Sequence, residues 1–290
     1  MHYRHHYHAG NFADVFKHVL VTGLLTALSR KDKPWAFVDT HAGAGDYNLG
    51  DPVADRTGEW RDGIGRLADV SVDAPSTPPA VAAYLRLVRA GNADGGCRFY
   101  PGSPPLAQQM LRPALGDRLI LCEKIEEVAD ELRRTMRGSG ATIHVRDGYE
   151  AHSLLPPPEK RGLVLIDPPF ERTDEYEAVS ELIRKSVARF ANGIYAAWYP
   201  IKNTHVASSF VRRVARETGK PTLQLSIEVD TPAREPSPIT GVVKHPMSTC
   251  GLLVVNPPFG FDAEMRAVLA YLTPILAQGS RAEWTVSFVD

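Results

Sequence analysis

Residues 162–170 read Gly-Leu-Val-Leu-Ile-Asp-Pro-Pro-Phe, and this stretch carries the strongest indication of fold and chemistry in the chain. The apolar run before Asp167 predicts a buried strand, and the two prolines after it predict a rigid turn without N–H donors. Asp167 and the carbonyl of a neighbouring proline could therefore accept both hydrogen bonds of an adenine amino group, while Phe170 stacks on the base. A strand with a proline-stiffened loop explains the same residues equally well, so the rest of the chain has to decide.

A glycine-rich turn follows an earlier apolar run. It reads Asp39-Thr40-His41-Ala42-Gly43-Ala44-Gly45. Glycines after a strand allow a tight turn and a close approach of the backbone to a ligand. The third glycine of the dinucleotide fingerprint is lacking, and no Gly-Lys-Ser/Thr follows to grip a phosphate. Taken alone, the turn is more typical of an ordinary strand-to-helix connection.

Four predicted strands end in a carboxylate, and their position indicates a ligand site. These acids are Asp39, Glu123, Asp147 and Asp167. Open α/β sheets bind ligands at the carboxyl ends of their strands, where Glu123 could hold a ribose diol and Asp147-Gly148 an adenine. One acid in such a place is commonly a helix N-cap, but four in equivalent places predict a site for a nucleotide-like methyl donor.

The N-terminal residues resemble one enzyme family, the ribosomal large-subunit methyltransferase J family. The similar stretches are Tyr3-Arg4-His5, His8-Ala9-Gly10-Asn11, Ala13-Asp14-Val15, Lys17-His18 and 39–45. The resemblance covers essentially the whole chain. It implies an S-adenosylmethionine-dependent enzyme that methylates N6 of an adenine in 23S ribosomal RNA. The implied fold is α/β, a Rossmann-like class I methyltransferase with a mainly parallel seven-stranded sheet and a small helical insertion.

The resemblance also implies a role for individual residues. Cofactor contacts are implied at His18, His41, Gly43, Ser103, Glu123, Asp147, Gly148 and Asp167. The implied catalytic group is Asp167 with Pro168 and Phe170, and Tyr3, His5 and Lys17 are implied to lie near the target base. The family commonly has Asp-Pro-Pro-Tyr, so Phe170 keeps a stacking ring but lacks the phenol hydroxyl.

A second copy of the motif, Asn256-Pro257-Pro258-Phe259, follows the last of three later apolar runs, at 193–199, 222–229 and 251–255. Its amide could also accept a hydrogen bond from an amino group. In the methyltransferase architecture, however, the seventh strand is antiparallel and ends away from the cofactor. We therefore assign the chemistry to Asp167 and predict a turn at Asn256.

The spacing of the motifs indicates an insertion. Glu123 follows Gly45 much later than the roughly 20 residues of a simple dinucleotide fold. We therefore predict a methyltransferase domain of residues 1–50 and 101–290, interrupted by a helical subdomain at 51–100 with a helix near 80–90. Within the domain, a helix is expected at 13–28, and Ser103 is expected to cap a helix that begins at Pro104.

Composition sets the class of protein. Cys97, Cys122 and Cys250 are odd in number and widely spaced, which argues against a disulfide framework and a Cys-x-x-Cys metal site. The polar N-terminus does not resemble a signal peptide, and no apolar run approaches the roughly 18 residues of a membrane span. We expect a cytoplasmic monomer that needs no membrane and no metal.

The net charge gives RNA binding little support. The chain has 33 basic and 34 acidic residues, a net charge of −1, whereas nucleic-acid-binding domains usually carry a basic excess. Local basic clusters are Arg133, Arg134 and Arg137; Arg184 and Lys185; and Arg212, Arg213 and Arg216. Each cluster is also typical of a solvated helix face, which is the simpler interpretation.

The first eight residues are rich in histidine, at His2, His5, His6 and His8. They lack the spaced Cys/His pairs of structural zinc. Cations and rings in a mobile segment suit phosphate contact and base stacking, so we expect residues 1–12 to face the substrate.

Other interpretations stay open at this stage. An enzyme that methylates an amino group of DNA adenine, cytosine N4 or a protein glutamine would need the same Asp167 and cofactor site. A non-catalytic RNA-binding or ribosome-assembly factor is the alternative from another class.

Overall fold

The computed structural model describes residues 8–92, 97–230 and 247–289, apart from the side chains of residues 53, 55 and 56. The strands are β1 (Ala36–Asp39), β2 (Asp46–Asn48), β3 (Phe99–Pro101), β4 (Arg118–Glu123), β5 (Thr142–Val145), β6 (Gly162–Ile166), β7 (Ile194–Pro200), β8 (Thr222–Glu228), β9 (Thr249–Val255) and β10 (Glu283–Phe288). The helices are α1 (Phe12–Ser29), α2 (Pro52–Thr57), α3 (Pro79–Ala90), α4 (Ser103–Gln109), α5 (Glu126–Thr135), α6 (Glu175–Arg189), α7 (Thr204–Thr218) and α8 (Phe261–Leu276).

A central sheet of eight strands organises the molecule, in the order β10-β8-β9-β7-β6-β1-β4-β5. The five strands from β5 to β7 are parallel to one another. β9 runs antiparallel between β7 and β8, and β10 pairs antiparallel with β8. The prediction of a mainly parallel α/β sheet is therefore confirmed, with one strand more than the seven expected.

The additional strand is β10, at the edge of the sheet. Polar and apolar residues alternate along it, and most of them remain exposed while Val286 is buried. The seven expected strands were predicted from continuous apolar runs, which mark strands covered on both faces. An edge strand with one covered face lacks that signal.

Helices cover both faces of the sheet and give the molecule two apolar layers. Alternate residues of the strands contribute to each layer, as the two-residue period of a strand requires. Phe37, Leu121 and Leu165 face α1, α3 and α8. Val38, Val164 and Ile166 face α6 and α7.

Helix α1 runs through the first of these layers. The side chain of Asn11 caps it by accepting hydrogen bonds from the backbone N–H groups of Ala13 and Asp14, each at 3.0 Å. The helix is buried on nearly all sides, and its buried residues include Val15, Val21 and Leu25. The expectation that no apolar run approaches a membrane span is wrong for this helix: alone among the described residues it has the length and composition of one, and 83% of it is buried inside the protein.

Residues 51–100 follow β2 and end within β3, and these two strands pair antiparallel. Before β3, the segment forms α2, two short 3-10 helices at Glu59–Asp62 and Ile64–Leu67, and α3. Helix α3 begins one residue before its predicted start and packs on α1. Because Tyr84 and Leu85 belong to the same apolar layer as α1, this segment shares the core of the molecule. Its division from the rest as a subdomain stays a prediction.

Candidate active site

A cleft of about 1760 Å³ opens at the carboxyl ends of the parallel strands. Pockets for single small molecules usually measure roughly 300–1,000 Å³, so this cleft has room for two ligands. Every described residue to which the family resemblance gives a site role lines it. These are Lys17, His18, His41, Gly43, Ser103, Glu123, Asp147, Gly148, Asp167, Pro168 and Phe170. Tyr3 and His5 lie outside the described residues.

Asp167 stands at the end of β6 and is paired with Lys17 of α1. Lys17 Nζ donates to Asp167 Oδ2 at 2.5 Å and to Asp14 Oδ1 at 2.8 Å. Burial of the ammonium lowers the pKa of Lys17, but the charges and hydrogen bonds of Asp14 and Asp167 outweigh it and raise this pKa above its ordinary value. Lys17 is buried and does not face the solvent. The side chain of Asp167 keeps 17% of its surface exposed.

Asp39 ends the neighbouring strand β1 and is fully buried. Its Oδ2 accepts a hydrogen bond of 2.6 Å from Ser103 Oγ, and its Oδ1 accepts one of 3.1 Å from the backbone N–H of His41. Burial raises the pKa of Asp39 to about 7, although the hydrogen bond from Ser103 opposes this change. Asp39 thus holds Ser103 and His41, which line the cleft, although Asp39 itself does not line it.

The helix-cap role predicted for Ser103 is wrong. Helix α4 begins at Ser103 itself, Gly102 precedes it as the N-cap, and no side chain caps this end. The hydroxyl of Ser103 donates to Asp39 instead. This contact could not be predicted from the sequence because the two residues are 64 positions apart.

Glu123 at the end of β4 faces the glycine turn. Its Oε2 accepts a hydrogen bond of 3.1 Å from Gly43 N, and its Oε1 accepts one of 2.8 Å from Ile125 N. Gly43 has φ of +63°, and a Cβ there would lie 2.5 Å from Tyr47 Oη. This position therefore requires glycine, as the close-approach interpretation of the turn predicts.

Asp147, Gly148 and His41 lie together on the β5 side of the cleft. Asp147 accepts a hydrogen bond from Tyr149 N at 3.1 Å and pairs with Lys124 at 2.8 Å. A Cβ on Gly148 would lie 2.1 Å from Thr40 O and 2.7 Å from the ring of His41. Burial lowers the pKa of His41 to about 4, so its imidazole is neutral at physiological pH.

His18 lies one residue after Lys17 on α1 and is 1% exposed. Its Nδ1 is 2.8 Å from Tyr100 Oη, and the two rings stack with centroids 5.6 Å apart. The hydroxyl of Tyr100 also lies 3.1 Å from that of Tyr84. This buried aromatic group ties the orientation of His18 to residues 51–100 and their flanking strand.

The other side of Asp167 is aromatic. Phe170 has φ of +51° and packs edge-on against Tyr176 and Trp198, with centroids 5.1 and 5.8 Å apart. Ile166 pairs in register with Ala197, so Asp167 and Trp198 occupy the next positions side by side, Asp167 just after β6 and Trp198 still within β7. Trp198 was not among the predicted site residues. Its place near the end of a parallel strand was the available signal.

The second motif lies far from the cleft. Val255 at the end of β9 pairs with Tyr195 near the start of β7, so Asn256 emerges at the opposite edge of the sheet. Its Nδ2 donates to the carbonyls of Ala191 at 3.0 Å and Gly193 at 2.8 Å, and its φ is +57°. The prediction of a turn at Asn256 is confirmed.

The first described residues, 8–11, lie beside the cleft. His8 Nδ1 lies 2.9 Å from Glu59 Oε2, and Asn11 Nδ2 donates to the same oxygen at 3.2 Å. Ile64 N donates to Gly10 O at 2.8 Å. Residues 8–11 are thus held by residues 59–64. The other N-terminal histidines lie outside the described residues, and residues 8–92, 97–230 and 247–289 contain no cluster of three or more metal-ligating side chains.

An open sheet with a glycine turn after β1 and carboxylates at the ends of β1, β4 and β6 defines a Rossmann-like methyltransferase. Residues 32–289 match the family described as "Ribosomal RNA large subunit methyltransferase D, RlmJ". The chain belongs to this family. It is similar to Ribosomal RNA large subunit methyltransferase J of Escherichia coli, with 36% identity over 99% of this chain and 98% of the relative.

Two further relatives agree with this assignment. The Haemophilus influenzae protein of the same name is 34% identical over 99% of this chain and 98% of its own length. A Legionella pneumophila protein of known crystal structure has 33% identity and a TM-score of 0.83, over 97% of this chain and 98% of that one. The resemblance inferred from the N-terminal motifs is therefore confirmed.

Proposed function

We propose that this chain transfers the methyl group of S-adenosylmethionine to the N6 amino group of one adenine in 23S ribosomal RNA. The names of the Escherichia coli and Haemophilus influenzae relatives support ribosomal RNA as the substrate class. The observation that carries the reaction type concerns Asp167: one carboxylate oxygen accepts a hydrogen bond, and the other accepts none from the part of the chain that the structure describes.

Asp167 Oδ2 accepts the hydrogen bond of Lys17. Oδ1 accepts none from any residue in the described ranges, and the side chain remains partly exposed to the cleft. Lys17 thus fixes the carboxylate and leaves one oxygen to accept a hydrogen bond from an amino group. The prolines that follow add carbonyl acceptors and no donors, so the site favours an amine over a hydroxyl or a carbonyl group.

The methyl donor fits the half of the cleft formed by β1, β4 and β5. Gly43 and Gly148 let the backbone turn where a Cβ would collide with Tyr47 and Thr40, and the carboxylate of Glu123 stands where a ribose diol could donate to it. Asp147 and the neutral His41 would border the adenine moiety, and His18 and Ser103 would contact the remainder. When bound there, S-adenosylmethionine supplies an electrophilic methyl group on a sulfonium.

The target base fits the half formed by β6 and β7. Phe170 and Trp198 offer rings at the side of Asp167, and base stacking on such rings contributes about 1–3 kcal/mol. Lys17 borders the same space. Tyr3 and His5, which precede His8 in the sequence, are proposed to lie over the base.

Catalysis then rests on alignment. Holding the amino nitrogen in line with the methyl group removes much of the entropic barrier, and no strong base is needed. Asp167 stabilises the positive charge that grows on the nitrogen, which becomes acidic after transfer and then releases its proton. The half-buried surroundings of Asp167 strengthen this interaction.

The test is methyl transfer from labelled S-adenosylmethionine to unmodified, protein-free 23S rRNA, followed by nuclease digestion and mass spectrometry of the nucleosides. We expect N6-methyladenosine at one site. Asp167→Ala should retain cofactor binding and lose at least about 10²- to 10³-fold in rate. Another methylated nucleoside would identify a different amino substrate, and binding without transfer would indicate a non-catalytic role.

Three smaller parts complete the proposal. The enzyme acts as a monomer, without a metal, in the cytoplasm. The free thiols of Cys97, Cys122 and Cys250 suit a reducing compartment. Light scattering of the purified protein, activity after treatment with a chelator, and cell fractionation test the three parts separately.

A further inference from the structure

The two flanks of the cleft differ in charge. The flank made by residues 51–62 and α5 presents five carboxylates, at Asp51, Glu59, Asp62, Glu127 and Glu131. One lysine on that flank, Lys124, is paired with Asp147. The opposite flank, after β6 and β7, presents Arg172 and Lys202 together with Glu171 and Glu175, and Arg172 is paired with Asp174. An RNA backbone would be repelled by the first flank, whereas Lys202 on the second flank offers it a cation.

Helix α7 extends the second flank away from the cleft. The helix begins at Thr204, capped by Asn203, immediately after Lys202. His205, Ser209, Arg212 and Arg216 are exposed, and their spacing of four, three and four residues places them within about 60° of one face. With a rise of 1.5 Å per residue, Arg216 lies about 20 Å from Lys202 along the helix axis.

These cations are available for a partner. Within the described residues, Lys202, Arg212 and Arg216 make no hydrogen bond or ion pair through their side chains. In contrast, Arg184 and Lys185 of α6 pair with Glu181 at 2.7 and 3.4 Å. Neighbouring Arg213 on α7 approaches carboxylates only at 3.8 and 3.9 Å, on the side that faces α6. The basic clusters on α6 and α7 are therefore not equivalent.

We propose that Lys202, Arg212 and Arg216 form a track, the α7 track, that binds the sugar-phosphate backbone of the RNA flanking the target nucleotide. This inference rests on the proposed function, since the track leads into the base half of the cleft. Each cation neutralises a phosphate and releases a counterion, so binding becomes salt-dependent in proportion to the number of contacts. A net charge of −1 is then compatible with RNA binding, because the favourable charge is concentrated on one flank.

The experiment compares two double variants in filter binding to protein-free 23S rRNA over a range of salt concentrations. R212A/R216A removes the far half of the track, and R184A/K185A removes the same charge from α6 as a matched control. For R212A/R216A we expect a binding slope against log salt that is smaller by about 1.4–1.8, from about 0.7–0.9 per lost phosphate contact. The control should retain the wild-type slope, and R212K/R216K should restore most of it, because lysine also binds phosphate.

Equal slopes for wild type and R212A/R216A, or equal losses in both double variants, would overturn the α7 track. Affinity for S-adenosylmethionine and thermal stability should stay unchanged in R212A/R216A, because both residues are exposed and distant from the cofactor half. The two proposals fail separately. If R212A/R216A has the smaller salt slope but the wild-type protein transfers no methyl group, the proposed function is rejected and the α7 track is retained.

Discussion

Ser103 Oγ donates a hydrogen bond of 2.6 Å to Asp39 Oδ2, and this contact joins the start of α4 to the end of β1 beneath the cleft. Both residues are buried, so the carboxylate has no water to solvate its charge. The floor of the cofactor half therefore depends on a group that binds no ligand itself. That arrangement makes Asp39 sensitive to pH.

Replacing Asp39 by Asn should change how stability depends on pH. Burial raises the folded-state pKa of Asp39 to about 7, above the ordinary 3.8. At a pH between these two values, Asp39 is protonated in the folded protein and ionised in the unfolded chain. Its contribution to the free energy of unfolding is therefore full below about pH 4 and is lost as the pH rises to 7. The difference in unfolding free energy, wild type minus Asp39→Asn, should fall by up to about 1.4 kcal/mol per pH unit.

Chemical denaturation of both proteins between pH 4 and 8 measures this difference. His41 has a pKa lowered to about 4 by burial, so its own contribution changes in the opposite direction. Because both proteins contain His41, its effect cancels in the difference. A difference that is constant across this pH range would contradict the raised pKa of Asp39.

Removing the charge of Lys17 should destabilise the fold. In Lys17→Met, Asp14 and Asp167 would face each other without the cation that now lies 2.8 and 2.5 Å from them. Breaking a buried ion pair typically costs about 3–5 kcal/mol. Urea denaturation should show a loss of this size, whereas Lys33→Met at an exposed position should change stability by less than about 0.5 kcal/mol. A small loss for Lys17→Met would mean that water solvates the two carboxylates.

Trp198→Ala should weaken RNA methylation without affecting the methyl donor. The lost stacking is about 1–3 kcal/mol, which corresponds to a decrease of roughly 5- to 150-fold in kcat/KM for RNA. Isothermal titration should give an unchanged Kd for S-adenosylmethionine, because Trp198 lies beyond Asp167 from the cofactor half. Trp198→Phe should recover most of the activity. A parallel loss of cofactor affinity would instead indicate a general disturbance of the sheet edge.

Gly148→Ala should abolish or strongly weaken cofactor binding. The new methyl group would lie 2.1 Å from the carbonyl of Thr40, which forces the end of β5 away from the glycine turn. The matched control is Gly91→Ala, where the nearest atom would be 3.8 Å away and the backbone is right-handed helical. We expect the control to bind S-adenosylmethionine like wild type in the same titration. Normal binding by Gly148→Ala would show that this turn can move.

The sequence predicted the parallel part of the fold because buried parallel strands are continuous apolar runs. Leu163, Val164 and Leu165 mark β6 in this way. The same reasoning placed Asp167 and Glu123 at one edge, since parallel strands end together. It did not detect β10, whose alternating pattern is that of a half-covered edge strand.

The contacts that hold the site were mostly beyond sequence reasoning. Asp14 with Lys17 is a local pair, three residues apart on one helix, and could have been predicted. Lys17 with Asp167 and Ser103 with Asp39 join residues 150 and 64 positions apart, and only the packing of α1 and α4 against the sheet brings them together. Asn256 begins a second copy of the Asp167 motif, but the two copies follow strands of opposite direction. The sequence alone does not show strand direction.

The enclosure of Lys17 has a consequence for chemical labelling. Amine-reactive reagents acylate the neutral form of a lysine that solvent can reach. Lys17 is 4% exposed, and its two carboxylate partners keep it protonated, while Lys31 and Lys33 are exposed. Mild acetylation should therefore modify the surface lysines and spare Lys17. The appearance of an acetyl group on Lys17 would report, by peptide mass alone, that α1 has separated from the end of β6.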